Sequence, residues 1–512
     1  MPGLPRRGST GSPGTGTTGV ADHAATARLA DRVLSAISTS LVSQQTFDFY
    51  IDSVNGVDTN AGTSPDLPWK TLAKITASGL AAGQTVGLRR GSVFREALPT
   101  PVSGTRTAPV IYGAYGVGAQ PRIKGSVDYS AAAWSVSSGS IYVATVAGLP
   151  AASNVAYLTE TTPLALAASV GAMTAGTYFP DVAGGHLYVW LPDGSSPQGK
   201  QIEVNGNVST ICSTNKNYVT FQDLAIMHGS GSNAGIFAFN STVTRSMGIV
   251  VRRCTIGPHK GVGIACYAYG SIIEDNLVQN CWDAIEYPNS SANGMGIVLR
   301  AAPVSTSMTS IVRRNQVTGC YYGIRIENGA KDVYVYNNFV YLNHVNGIDN
   351  NGGAAPIYFL NNTIWHRPTS LAGHGIDVQA GDGFVCQNNI VYCDFTGTNS
   401  NVQAIDVSAG AAANISVDYN VIYLAAGSTA SFGKVNNTQY PDLASFLAAL
   451  NTTYPGSGGT HNQQADPQLR NLAGGDATPL ASSPAIGGGI AWGGVTDQNF
   501  GSVSAGAYQP SV

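Results

Sequence analysis

The sequence predicts an all-β protein whose main part is a right-handed parallel β-helix, preceded by a short helix. Turn-forming residues are abundant, with 62 glycines and 25 prolines, and only 11% of the 512 residues are charged. An asparagine recurs at one position of a repeat of variable length, and the tripeptide Gly/Ala-Ile-Asp appears three times. Many short strands joined by turns fit this composition better than helices do.

Residues 1–46 are predicted to form an arm used for attachment or oligomerisation. Residues 1–19 are rich in Gly, Ser and Thr, which is typical of a flexible segment. They lack the charged start and apolar core of a secretory signal. Apolar side chains then recur at spacings of three and four, the pattern of a short helix with an apolar seam: Ala27, Ala30, Leu34, Ile37 and Leu41. Since so short a helix is marginal alone, the seam would pack on its own domain or on other copies of the chain.

Residues 47–211 are predicted to be an irregular β entry region, residues 212–430 a stack of regular coils, and residues 431–512 a capping segment. In the regular part, successive asparagines are separated by 39, 23, 24, 27 and 31 residues. Stacked coils accept such spacing, because each coil extends continuous parallel sheets while its loops grow outward. The aligned residues are Cys254, Asn276, Asn315, Asn338, Asn362, Asn389 and Asn420.

These asparagines predict an internal ladder. An inward-pointing amide can bond to the backbone of its own turn and to the asparagine of the next coil, so stacking satisfies it. Cys281 and Cys320 each lie five residues past a ladder asparagine and are predicted to stack as core residues. The seven cysteines include no CxxC pair of zinc-site spacing, so buried free thiols are expected.

A second strand in each coil places an isoleucine in the core and, from Glu286 onward, a charged residue outside. The inward series is Ile236, Ile264, Ile285, Ile324, Ile348, Ile376 and Ile405. Strand alternation turns the next residue outward, which gives Phe237, Ala265, Glu286, Arg325, Asp349, Asp377 and Asp406. The following outward column is Phe239, Tyr267, Pro288, Glu327, Asn351, Gln379 and Ser408. The longest coil offers a second candidate, GMGIVLR, which would put Val298 and Arg300 in place of Glu286 and Pro288.

The row of aspartates has three interpretations: loop caps, a Ca²⁺ site, or a sugar-cleaving site. Carboxylates on neighbouring strands lie roughly 5 Å apart and repel one another, so structure alone does not explain three of them. Glycoside hydrolysis needs one protonated and one ionised carboxyl group. We predict Asp349 and Asp377 as the catalytic pair, with Glu327 as a substitute for either.

Other residues near this row are predicted to bind substrate. They are Arg325, Asp406, Glu286, Arg300, Tyr267, Tyr322 and His344. Arg325 would orient an acidic sugar or a partner carboxylate. In the second register Arg300 joins Arg325 and Glu327, a cluster that suits β-elimination, in which a basic side chain removes the proton next to a uronate carboxylate.

Both ends of the β region resemble a known family. Residues 49–126 contain FYIDSVNGVDTNAGTSPDLPWKTLAKI, AGQTVGLRRGSVFRE and APVIYGAYGVGAQPRIKGS, which resemble the entry segment of pectate-lyase-like right-handed β-helix proteins. The tail, with ADPQLRN, PLASSPAIGGG, TDQNFG and AGAYQ, is similar to the tail of the same group. The resemblance implies the fold, while the chemistry stays open, because the superfamily includes lyases, hydrolases, epimerases and viral tailspikes.

These features predict a polysaccharide-degrading enzyme, an endo-acting glycoside hydrolase on a bacterial surface glycan. The arm and the short helix resemble the arrangement of phage tailspikes, which implies a homotrimer, virion attachment, and an extracellular or virion-tail location. A polysaccharide lyase and a non-catalytic glycan-binding spike or adhesin are the alternatives.

Composition limits the partners. A net charge of -3 gives no electrostatic footprint for nucleic acid. No apolar run reaches the ~18 residues of a membrane span. No cofactor is expected to be required, with Ca²⁺ ligation as the open alternative.

Overall fold

Three sheets run along the chain, and each coil adds one strand to each sheet. The computed structural model describes residues 45–492, apart from 151–155, 207–209, 231–234, 240–245, 282–293, 301–307, 355, 369–372, 380–382, 399–400 and 409–413, together with residues 505–506. The predicted parallel β-helix is confirmed, because neighbouring strands of each sheet come from successive coils. The arm and helix predicted for residues 1–46 lie outside the described residues, except for residues 45 and 46.

The strands are short. Within the described residues, each sheet contains the following strands in the order in which they pair. Sheet A contains Phe49–Ile51, Thr85–Arg89, Val110–Tyr115, Val219–Gln222, Val250–Arg252, Ile272–Glu274, Ser310–Arg313, Val333–Tyr336, Ile357–Leu360, Phe384–Gln387 and Ser416–Asp418. Sheet B contains Val93–Phe94, Arg122–Lys124, Ala225–Met227, Thr255–Ile256, Leu277–Gln279, Gln316–Thr318, Phe339–Tyr341, Thr363–His366, Ile390–Cys393, Val421–Leu424 and Gln463–Gln464. Sheet C contains Ile211–Cys212, Ile236–Ala238, Ile264–Cys266, Met295–Arg300, Tyr322–Glu327, Ile348–Asn351, Gly373–Val378, Val402–Val407, Ser431–Val435 and the antiparallel Thr438–Tyr440.

A mostly antiparallel sheet is inserted between the sheet B strand Arg122–Lys124 and the first strand of sheet C. Its strands are Ser126–Asp128, Ser135–Ser138, Ile141–Thr145, Ala156–Tyr157, Pro163–Leu166, Thr177–Asp181, His186–Trp190 and Glu203–Asn205. It has its own core, in which Tyr178, Leu187 and Val204 are fully buried. Glu203 connects this insert to the coils, since Lys124 donates to its carboxylate at 2.8 Å.

Other elements are few in the described residues. Short pairs of strands are Ser246–Met247 with Ala268–Tyr269 and Leu469–Asn471 with Asp476–Pro479. The 3₁₀ turns are Leu72–Ala77, Val170–Ala172 and Leu472–Gly474. The α-helix Leu443–Thr453 begins at Asp442, whose side chain accepts from Ser445 N at 2.8 Å, an ordinary N-cap. None of these helices is long and apolar enough to cross a membrane.

The asparagine ladder is confirmed at the turn between sheets A and B. Each side-chain Nδ2 donates to the Oδ1 of the next asparagine at 2.9 to 3.0 Å, from Asn276 to Asn420. Asn420 donates onward to Asn462 at 3.0 Å, a rung that sequence alignment misses because helix Leu443–Thr453 intervenes. The residue before each rung is left-handed, with φ between 51° and 60°: Arg253, Asp275, Arg314, Asn337, Asn361, Asn388 and Tyr419. The amide therefore stabilises a turn that L-residues otherwise resist.

The cysteine prediction is confirmed in six of seven cases. All seven cysteines are free thiols, and only Cys212 is exposed. Cys212 ends the first strand of sheet C, where the period-2 alternation places it outside the core. Cys281 and Cys320 stack as predicted, since burial and contact with Cys320 raise the pKa of Cys281.

A glycine precedes most of the inward isoleucines for a steric reason, although Ala404 precedes Ile405. A Cβ on Gly347 would lie 2.6 Å from the carbonyl oxygen of Gly375 on the next coil and 2.6 Å from the Ile364 side chain. Gly323 and Gly375 face the same restriction. The Gly-Ile part of the repeat thus reflects the close approach of successive coils.

Gly347→Ala is expected to destabilise the protein by about 1–3 kcal/mol, because the added methyl group overpacks this contact. Gly171→Ala is the matched control: Gly171 is exposed, and a Cβ there would meet no atom closer than 4.0 Å. Urea unfolding of both variants checks the prediction, and equal midpoints would contradict it.

Candidate active site

Three columns of side chains point outward from sheet C. The core isoleucines of successive strands are register partners, so residues at fixed offsets from them line up. The column one place after the isoleucine is confirmed for Arg325, Asp349, Asp377 and Asp406, which pair in that order. A third column, two places before the isoleucine, adds Tyr322, Asn346, His374 and Gln403.

The longest coil uses its second candidate strand. Met295–Arg300 pairs with both neighbouring strands, so Val298 and Arg300 occupy the outward columns. The placement of Glu286 in this column is therefore wrong, and Glu286 itself lies outside the described residues. Gly296 precedes the inward isoleucine here, as Gly263 and Gly323 do on the two neighbouring strands, and a Cβ on Gly296 would lie 2.7 Å from the carbonyl oxygen of Gly323.

The aspartates are buried rather than lining an open groove, which corrects the expectation drawn from alternation. Asp349, Asp377 and Asp406 expose 1%, 0% and 1% of their surface. Side chains of the two flanking columns, such as Asn346 and Gln379, pack against the middle carboxylate. Alternation decides which face a residue takes, but it does not decide how deeply its neighbours cover it.

Asp377, in the middle, is held by neutral donors. Its Oδ2 accepts from Asn346 Nδ2 at 2.8 Å and from Gln379 Nε2 at 2.6 Å. Its Oδ1 has no hydrogen-bond partner within the described part of the chain. Burial, together with the charges of Asp349 and Asp406, raises the pKa of Asp377 well above its ordinary range. The proton of a neutral Asp377 therefore belongs on Oδ1, because Oδ2 already accepts two N–H groups.

Asp349 is paired with a cation, and the side chain of Asn346 also contacts it. Arg325 Nη1 lies 3.1 Å from its Oδ2. Burial raises the pKa of Asp349 to about 7, although Arg325 acts to lower it. The Arg325 guanidinium also lies over the ring of Tyr322, 4.3 Å from its centre, which fixes its direction.

Asp406 has both oxygens occupied. Lys434 Nζ lies 2.6 Å and His374 Nε2 3.3 Å from Oδ2, while Ser408 donates to Oδ1 at 2.5 Å. Burial raises the pKa of Asp406, and the bonds from Lys434 and Ser408 oppose this shift. Burial also lowers the pKa of the His374 imidazole to about 3, so the ring is neutral at pH 7.

Glu327 lies between two guanidinium groups. It pairs with Arg300 Nε and lies 3.7 Å from Arg325 Nε. Arg300 in turn contacts the hydroxyl of Tyr267, and its guanidinium carbon is 5.3 Å from the centre of that ring. Several predicted binding residues thus form one chain of contacts that ends at Asp349.

His344 lies elsewhere, in the connection from sheet B to sheet C. Its backbone N–H donates to Cys320 O at 2.8 Å, and burial lowers the pKa of its imidazole to about 4. Its predicted contact with substrate stays a prediction.

Sequence reasoning missed Asn346, His374 and Lys434. Asn346 and His374 stand two places before an inward isoleucine, in NGI and HGI. The alternation of the strand turns this position outward too, so the sequence contains the signal that could have found them. Lys434 pairs in register with Asp406, but its strand has glycine where the others have isoleucine.

One subset of this cluster could hold a cation. His374, Asp377 and Asp406 each offer a ligand atom, and these atoms lie within 4.8 Å of one another. An imidazole nitrogen in the set departs from the oxygen-only ligands that Ca²⁺ prefers.

The stability advantage of Asp377→Asn over the natural protein is expected to grow with pH. A carboxyl group whose folded pKa is raised stabilises the fold below its unfolded pKa and loses this contribution as pH rises through the folded pKa. The asparagine cannot ionise, so it escapes that loss. Thermal unfolding at pH 5 and pH 8, in buffer with EDTA, measures the difference, and a constant difference would contradict the raised pKa.

Comparison with known proteins agrees with this architecture. No family model matches the chain. A lacto-N-biosidase of Bifidobacterium longum subsp. longum is 34% identical over 117 residues, which are 22% of this chain. The match spans only 7% of that curated relative.

Two solved structures share the fold. A complex of XylC with xylose has a TM-score of 0.54 and 14% identity, covering 75% of this chain and 76% of the other. A glycoside hydrolase has a TM-score of 0.54 and 12% identity, covering 77% of this chain and 96% of the other. Together with the strand pairing, these likenesses show that the chain has a parallel β-helix fold.

Proposed function

We propose that this chain is a carbohydrate-active enzyme, a glycoside hydrolase that cleaves within a polysaccharide chain. The observation that carries the proposal is the environment of Asp377, a buried carboxyl group with one oxygen held by two amides and the other without a partner in the described residues. Carboxylates flank it on both neighbouring strands. The local similarity to a lacto-N-biosidase and the fold shared with a glycoside hydrolase support it.

Asp377 is assigned the role of general acid. It would pass the proton on Oδ1 to the glycosidic oxygen as the bond to the anomeric carbon breaks. The neutral donors Asn346 and Gln379 hold Oδ2 without adding a positive charge, so they orient the group while burial keeps it protonated.

Asp349 is assigned the role of nucleophile. It is preferred to Asp406, because Lys434 and Ser408 bind the oxygens of Asp406 at 2.6 and 2.5 Å, whereas the Arg325 Nη1 that pairs with Asp349 is 3.1 Å from its Oδ2. Strands in register are ~4.8 Å apart, which suits a retaining mechanism, in which carboxyl groups ~5 Å apart form and then hydrolyse a glycosyl-enzyme. Asp377 would then take the proton of the attacking water.

The remaining outward residues are assigned to substrate binding. Tyr267 and Tyr322 present partly exposed rings on coils that precede the catalytic strands. A glycan lying along the helix axis over the aspartates would contact these rings, which supports cleavage within a chain rather than at an end. Arg325 would contact the sugar bound next to Asp349.

A lyase is the second candidate, because Arg300 does occupy the column beside Arg325. Elimination requires a basic side chain free to remove a proton. Both guanidinium groups are instead engaged by Glu327, and Arg325 also by Asp349. Because neither arginine is free to remove a proton, these ion pairs favour the hydrolase over the lyase.

The test is incubation with a panel of neutral and acidic bacterial polysaccharides, with reducing ends and near-ultraviolet absorbance scored together. New reducing ends without absorbance support the hydrolase. Absorbance from unsaturated products supports the lyase. Binding without cleavage of any substrate supports a glycan-binding spike or adhesin and overturns the proposal.

We further propose an extracellular or virion-tail location, with a homotrimer attached through residues 1–46. The supporting observation is the apolar seam of that segment in the sequence. Light scattering of the full chain tests it, because a monomer would remove the basis for a tailspike.

A further inference from the structure

The cluster around Asp377 contains a buried carboxylate oxygen that the protein does not satisfy. Asp377 Oδ1 has no hydrogen-bond partner among the described residues, whereas the imidazole of His374 interacts with the Gln403 side chain. Asp377 is fully buried and His374 is 7% exposed. Buried polar atoms are rarely left without partners, so an unpaired oxygen beside a histidine and a second carboxylate is a candidate ligand atom.

The geometry of three of these residues suits a metal ion. The ligand atoms of His374, Asp377 and Asp406 lie within 4.8 Å of one another, and His374 Nε2 is already 3.3 Å from Asp406 Oδ2. Zinc bonds of about 2.0–2.2 Å in a tetrahedral site place two ligand atoms roughly 3.3 Å apart.

The donor set selects the class of ion. An imidazole beside carboxylates suits zinc and related divalent ions, which accept both nitrogen and oxygen ligands. Gln403 is the register partner of His374 on the next strand. Its Oε1 is placed to accept a proton from Nδ1 once Nε2 binds a metal, the outer contact that ligating histidines usually have.

Lys434 opposes metal binding. Its Nζ is 2.6 Å from Asp406 Oδ2, the oxygen nearest His374. A cation entering here must displace this ammonium group, so the lysine and the metal compete for one carboxylate.

We propose that His374, Asp377 and Asp406 bind a divalent first-row transition-metal ion, with Zn²⁺ as the probe, and that the bound ion inhibits the enzyme by occupying the carboxyl group of Asp377. The inhibition rests on the proposed function, whereas the binding does not.

Calorimetric titration of metal-free protein with ZnCl₂ tests the binding. We expect one site per chain that His374→Gln abolishes. Lys434→Met is expected to bind Zn²⁺ about tenfold more tightly, because it removes the competing charge. His461→Gln is the control, since His461 is exposed and pairs with Asp418. Binding lost in His461→Gln but kept in His374→Gln would overturn the site, and so would no heat of binding in the natural protein.

Circular dichroism accompanies each titration, so that a variant that fails to fold is recognised. The tighter Zn²⁺ binding expected in Lys434→Met tests the site independently, because an unfolded variant would not bind more tightly. Cleavage assays then separate the two proposals. Cleavage that Zn²⁺ suppresses supports both. Cleavage that persists at saturating Zn²⁺ overturns the inhibition alone, whereas zinc binding without cleavage of any glycan overturns the proposed function alone.

Discussion

Asp377→Asn is expected to lower kcat by about 10²–10⁴-fold while the protein remains folded. General acid catalysis contributes this range, and the amide cannot supply the proton that the leaving oxygen needs. The substitution preserves the shape of the side chain, and its oxygen can still accept from Asn346 and Gln379. The loss should therefore fall on kcat more than on KM.

The matched control is Asp394→Asn. Asp394 is also on the coils, but it pairs with Arg367 outside the columns of sheet C. Its kcat should stay near that of the natural protein. Full activity in Asp377→Asn would remove the acid assignment, and equal losses in both variants would indicate a general effect of charge.

Asp349→Ala separates the nucleophile from the acid. Azide can enter the space left by the carboxylate and attack the anomeric carbon directly. A retaining enzyme should then form a glycosyl azide of inverted configuration, detectable by NMR, while Asp377→Asn should not form this inverted product. Absence of azide rescue in Asp349→Ala, with rescue in Asp406→Ala, would transfer the nucleophile role to Asp406.

Asn338→Ala is expected to destabilise the protein by about 3–5 kcal/mol, the largest stability change that we predict. Its Oδ1 accepts from the backbone and the side chain of Asn315, at 3.0 and 2.9 Å. Its Nδ2 donates to the carbonyls of Val312 and Tyr336 and to Asn362. Alanine leaves several of these groups buried without partners, and no water replaces them in a packed core.

Asn276→Ala provides the comparison within the ladder. The Oδ1 of Asn276 accepts only from Cys254 N, because the preceding coil has cysteine at this position. The loss of stability in Asn276→Ala should therefore be smaller than in Asn338→Ala. Urea unfolding measures the free energy of unfolding of both variants. Equal losses would show that the contribution of a ladder asparagine does not depend on how many hydrogen-bond partners it satisfies.

The sequence predicted well those features that repeat along the chain. The ladder from Asn276 to Asn420 and the register of Asp349, Asp377 and Asp406 follow from one local rule applied in every coil. Alternation is a property of the strand itself, so it needs no knowledge of distant residues.

The sequence predicted poorly those features that depend on a choice between equivalent segments. The longest coil contained two segments with the right pattern, and it is Met295–Arg300 that pairs with both neighbouring strands. Asn462 was missed for a similar reason, since the interval of 42 residues contains a helix.

The sequence by itself determined that coils stack, that asparagines fill their inner turn, and that a row of aspartates faces outward. Only the tertiary structure decided that these aspartates are buried, that Asp377 has neutral donors, and that Lys434 and His374 share Asp406. The physical reason is that strand direction is set by neighbours in sequence, whereas desolvation and charge pairing depend on side chains that arrive from other coils.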